Sequence, residues 1–139
     1  MTESTRRMKL IAWATVACYI LVAVSLTHMP KVPAGIEQGG DKILHGFGYF
    51  LYASLTYIAI GLTFPRYRWA VLTVVLLLSM WAALDEITQP YFHRDCDFND
   101  WLADMAGVIT AVSLLGSLRL IARFRDRPLV PSPGTPGEG

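Results

Sequence analysis

Charge is scarce in this chain. Charged residues are only 17% of its 139 positions, and the formal net charge is +1. A protein that grips nucleic acid through its phosphates needs a basic excess, so composition gives no case for that partner. Cysteine is scarce too, with only Cys18 and Cys96. One lies midway along an apolar run and the other in a polar loop. At about 1.5 Å per helical residue their depths differ by roughly 15 Å, too far for a disulfide. Cys18 reads as a small apolar filler. No Cys/His spacing resembles a structural zinc site. Nor is there a nucleophile motif or a specific metal motif, so no cofactor is expected.

What is abundant is apolar sequence. Hydrophobic residues make up 53% of the chain, and its mean hydropathy is +0.40. The charges are segregated, leaving long stretches with none. That pattern predicts an all-α, multi-pass membrane protein with four transmembrane helices in an antiparallel bundle. Residues 1–127 form one such domain, and the Pro/Gly-rich residues 128–139 read as a disordered tail.

The first span runs from Leu10 to Thr27 after a basic start. It reads as an uncleaved helix rather than a signal peptide. Residues 28–41 form a loop broken by Pro30, Pro33, Gly35, Gly39 and Gly40. The second span, Ile43 to Pro65, is the most polar, carrying His45, Tyr49, Tyr52, Ser54, Thr56 and Tyr57 among several glycines. It should face protein more than lipid. Arg66-Tyr67-Arg68 makes a very short connection to the third span, Trp69 to Gln89, which Pro90 ends. The fourth runs from Trp101 to roughly Ala122.

Basic residues set orientation. Arg6, Arg7, Lys9, Arg66, Arg68, Arg119, Arg123, Arg125 and Arg127 fall on one side of this arrangement. Lys31, Lys42 and Arg94 fall on the other. Both termini are therefore expected in the cytoplasm.

Six of the eleven acidic residues fall within positions 85–104, between the third and fourth spans. Charge at the ends of membrane segments is costly unless it has a purpose. Lys42, His45, Tyr49 and Tyr52 are spaced 3, 4 and 3 apart and share one helix face. Asp97, Asp100, Asp104 and Gly107 have the same spacing and also share a face. Glu86 and Gln89 are i, i+3 neighbours, and Asp85 and Gln89 are i, i+4 neighbours. Arg94 sits in the turn between. The candidate ligand-binding residues are therefore Lys42, His45, Tyr49, Glu86, Gln89, Arg94, Asp100 and Asp104. Asp104 lies within the apolar span, so it should face the bundle and find a donor. Asp97 reads as the N-cap of the fourth helix. Of Asp85 and Glu86, one reads as solvated and one as a partner for Arg94 or Lys42, with Glu86 the functional member.

These residues resemble the motifs of the VanZ-like membrane protein family. One element is Asp41-Lys42-Ile43-Leu44-His45-Gly46-Phe47-Gly48-Tyr49. The other is Asp85-Glu86-Ile87-Thr88-Gln89, then Arg94, Asp100, Asp104 and Gly107. The resemblance covers about residues 10–122. Two departures are a Gln89-to-Arg94 spacing one residue short and Asp104 where Asn is common. The resemblance implies a bacterial envelope protein of the cytoplasmic membrane, from a family named for a protein linked to resistance to teicoplanin.

Function then divides into three classes. In the first, the polar cluster binds membrane lipid or a lipid-linked or cell-wall-related ligand, with Lys42 and Arg94 holding an anionic group. In the second, it is an enzyme. His45 and Glu86 are then base and acid, or His45, Glu86, Asp100 and Asp104 ligate a divalent metal. In the third, the cluster is a scaffold that only fixes helix packing.

Overall fold

The computed structural model describes residues 2–28 and 38–125. Its regular structure is helical throughout, with α1 Glu3–Thr27, α2 Gln38–Thr63, α3 Ala70–Thr88 and α4 Phe98–Arg125. A short 3₁₀ turn, Gln89–Phe92, follows α3. All four helices are long and apolar enough to cross a membrane. A helix satisfies its own backbone, which suits it to a solvent without hydrogen bonds. The surface agrees with such a solvent. Large apolar side chains such as Leu21, Ile43, Met80, Ile87 and Ile121 are each more than half exposed, where water would penalise them.

Several helices begin earlier than their apolar runs. α1 starts at Glu3 because Thr2 caps it, its hydroxyl accepting from the Thr5 N–H at 3.4 Å. The expected loop 28–41 is partly helical, with Gln38 to Asp41 forming the first turn of α2. Pro30, Pro33, Gly35 and the expected tail at 128–139 lie outside the described residues. α4 starts at Phe98 because Asp97 caps it. The Asp97 carboxylate accepts from the Asn99 N–H at 2.8 Å, as an N-cap should.

Pro90 ends α3 in an unexpected way. The chain tightens into the 3₁₀ turn with Pro90 near its start, where the missing N–H is not needed. His93 closes it in the left-handed region at φ 63°. There its N–H bonds to the Pro90 carbonyl at 3.3 Å.

α2 is the least hydropathic span and the most buried, and it packs most extensively against α4. Close approach explains this. A Cβ on Gly107 would fall 2.0 Å from the Gly46 carbonyl oxygen, so only glycine fits there. Small residues continue the contact, with Ala53 and Ala111 fully buried. Tyr19 ties α1 to α2 by donating to the Gly48 carbonyl at 2.7 Å. Cys18 does not fill space in the core; like Cys96 it is exposed and free.

At one end, the Trp13 indole donates to Thr63 at 2.9 Å. Arg119 and Arg123 there donate to the Pro65 carbonyl. At the opposite end, four helix termini come together, and there the buried polar residues gather.

Candidate functional site

The buried polar cluster forms where the start of α2 meets the end of α3 and the start of α4. Its deepest member is Asp104, fully buried. The Asp104 Oδ1 lies 3.0 Å from Nδ1 of His45, also buried. The imidazole N–H donates to the carboxylate. The same nitrogen is 3.9 Å from Glu86 Oε1. Glu86 in turn accepts from the Gln89 amide at 3.0 Å and from the Asp97 backbone N–H at 3.1 Å. One carboxylate therefore ties the end of α3 to the cap of α4. Three helices contribute one titratable side chain each, and those three side chains converge.

Lys42 lies one turn nearer the helix end. Its Nζ donates to Asp97 at 2.9 Å and to Asp100 at 2.8 Å. Through that bond the Lys42 ammonium holds the Asp97 carboxyl below its ordinary range, assisted by the Asn99 N–H. Arg94 is engaged as well. It donates to the Thr27 carbonyl at 3.1 Å and to Asp41 at 3.3 Å. Lys42 and Arg94, expected to hold an anionic group, are both already bonded to acids of this cluster. Acids outnumber these two cations at this end, and each cation has taken acidic partners.

No family model, curated protein or solved structure matches the chain.

Asp85 departs from expectation. It is neither solvated nor paired with Arg94 or Lys42. It is buried and accepts from the Thr27 hydroxyl at 3.0 Å. His28 Nδ1 is 3.7 Å away. His28 Nε2 reaches the Thr88 hydroxyl at 3.0 Å, and its ring packs edge-on to Phe92 at 4.6 Å. The end of α1 thus forms a fourth side of the cluster that the motif spacing did not reveal. The available signal was the Thr27-His28 pair closing an apolar run. A polar pair there reads equally well as the first residues of a loop.

A groove of about 300 Å³ runs beside the cluster, between α1, α2 and α3. Ala23, Val24, Leu44, Gly48, Tyr52 and Trp81 form much of its wall. At the end nearest the helix termini the lining changes to Asp41, His45, Asp85 and Arg94. Tyr49 is buried and also lines it. Phe47 and Leu51, both exposed, stand at its rim. Of the candidate residues, His45, Tyr49 and Arg94 therefore border the groove. Glu86, Gln89 and Asp104 lie behind His45, and Lys42 and Asp100 pair beside them.

Proposed function

We propose that this chain is a VanZ-like protein of the bacterial cytoplasmic membrane that holds a lipid-linked envelope ligand. The apolar tail lies in the groove between α1, α2 and α3. The head group meets Arg94, His45, Asp85 and Asp41. The observation that carries this reading is the change of lining along one groove, apolar for most of its length and charged at the helix ends. Its volume is within the size of small-molecule sites, and apolar walls with a few polar groups at one end are their usual composition. The motif resemblance supports an envelope ligand, since the family's name is linked to resistance to a cell-wall antibiotic.

In this reading the helices form an antiparallel bundle with both termini in the cytoplasm, and the polar end faces outward. The bias of nine basic residues against three supports that orientation. Reporter fusions at Tyr67 and after Arg125 are expected to report cytoplasm. A fusion at His93 is expected to report the opposite side, and a cytoplasmic signal there would remove the envelope ligand from consideration.

The ligand itself is tested by native mass spectrometry of protein released from its own membrane in mild detergent. A lipid adduct is expected on the wild type. Ala23→Trp, which fills the groove wall without touching the polar cluster, is expected to remove it. An adduct that survives Ala23→Trp unchanged, or a wild type with none, would sink the proposal.

A further inference from the structure

Among the described residues, the charges at the polar end do not balance. Asp41, Asp85, Glu86, Asp97, Asp100 and Asp104 meet there, four of them buried. Among the described residues, the permanent cations bonded to them are Lys42 and Arg94. Both are spent on Asp41, Asp97 and Asp100. Behind them His45 stands between Glu86 and Asp104, and among the described residues no lysine or arginine is bonded to any of the three. Buried carboxylates without a compensating cation are expensive.

Two polar atoms at this spot also lack partners. Asp104 Oδ2 and Gln89 Oε1 are buried with no hydrogen bond. Both residues are 0% exposed, and the Gln89 amide nitrogen is already bonded to Glu86. Buried oxygens left unpaired are rare and need a reason.

We infer that His45, Glu86 and Asp104 form a divalent-metal site, one ligand from each of α2, α3 and α4. One ligand atom from each of these residues can be chosen so that all three lie within 4.8 Å of one another. In tetrahedral zinc coordination, neighbouring ligand atoms about 2.0–2.1 Å from the metal lie roughly 3.3 Å apart. The distances of 3.0 Å from His45 to Asp104 and 3.9 Å from His45 to Glu86 bracket that value. One imidazole and two carboxylates favour zinc, or manganese among harder ions, over magnesium. A divalent ion neutralises the excess charge, and a turn of the Asp104 carboxylate about its own axis can bring the unpaired Oδ2 to it. Binding displaces the proton that His45 now shares with Asp104. Three protein ligands leave a fourth position, as in zinc sites that bind an exchangeable molecule. Asp41, His45 and Asp100 also approach one another, but Arg94 and Lys42 already neutralise the two acids.

The site does not depend on what fills the groove, and its test is separate. Full-length protein in detergent is stripped with chelator, then titrated with zinc, manganese and magnesium. Bound metal is counted by elemental analysis, and thermal unfolding is followed in parallel. The expected result is one zinc per chain, a raised unfolding temperature with zinc, and little response to magnesium. Glu86→Gln and Asp104→Asn keep the side-chain shapes. Each is expected to weaken zinc by more than the roughly 10–100-fold that outer-shell changes cost. Asp41→Asn and Asp97→Asn are expected to bind as the wild type does. No stoichiometric metal, or zinc indifferent to both Glu86→Gln and Asp104→Asn, would overturn the assignment. A lipid adduct on metal-free protein would meanwhile leave the groove reading intact.

Discussion

Asp104→Ala is expected to destabilise the protein by about 1–3 kcal/mol, the cost of leaving a buried donor unpaired. The residue is fully buried on α4, and its carboxylate is the nearest acceptor for the His45 ring at 3.0 Å. Alanine leaves that imidazole N–H unpaired beside Glu86 and opens a small void against α2. The void cannot close easily, because Gly46 and Gly107 already hold these two backbones at contact. Asp104→Asn retains an oxygen for the ring and should keep most of the stability. Equilibrium unfolding of metal-free protein in detergent measures both. An alanine variant as stable as the wild type would mean that His45 and Asp104 are not paired.

Glu86→Ala should be comparably damaging for a different reason. It deprives two donors at once, the Gln89 amide and the Asp97 N–H. Each unpaired buried donor costs about 1–3 kcal/mol. The loss also frees the cap of α4 from the end of α3. Glu86→Gln behaves differently. Its oxygen can accept from the Asp97 N–H while its amide nitrogen turns toward Gln89. Gln89 can flip to present the oxygen that now lacks a partner. The two bonds made at Glu86 are then kept, the unpaired position at Gln89 passes from its oxygen to its nitrogen, and the charge is gone. In metal-free protein, near-wild-type stability for Glu86→Gln, beside a loss of about 3 kcal/mol for Glu86→Ala, is the expected pattern. Equal losses for both would mean that this carboxylate acts through its charge alone and not as the acceptor between α3 and α4.

Much of this was legible because a membrane segregates charge so strongly. The spans stand out as charge-free runs. Helical spacing alone put Lys42 and His45 on one face and Asp97, Asp100 and Asp104 on another. Gly107 stood on the face of Asp100 and Asp104, and the fold shows that α2 approaches α4 there. Which carboxylate each cation takes was not legible. Asp97 and Asp100 compete equally for Lys42 by spacing, and only the fold shows that it reaches both. The share of α1 was hidden as well. Thr27 and His28 have no periodic partner, since their contacts are to Asp85 and Thr88 on another helix. The groove was invisible for the same reason. Its wall residues are individually ordinary, and only their arrangement makes a space.

The central claim is that the buried cluster serves a bound ligand rather than only fixing the helices. The most direct test is lipid-adduct occupancy by native mass spectrometry for wild type and Glu86→Gln, with unfolding measured on the same samples. Glu86 stands behind His45, which lines the groove, so removing its charge changes the electrostatics at the head-group end. With both proteins stripped of metal, the expected result is a Glu86→Gln protein that unfolds like the wild type but has lost most of its adduct. A Glu86→Gln protein that keeps full occupancy, or loses it only as far as stability falls, would contradict the account and leave the cluster as packing.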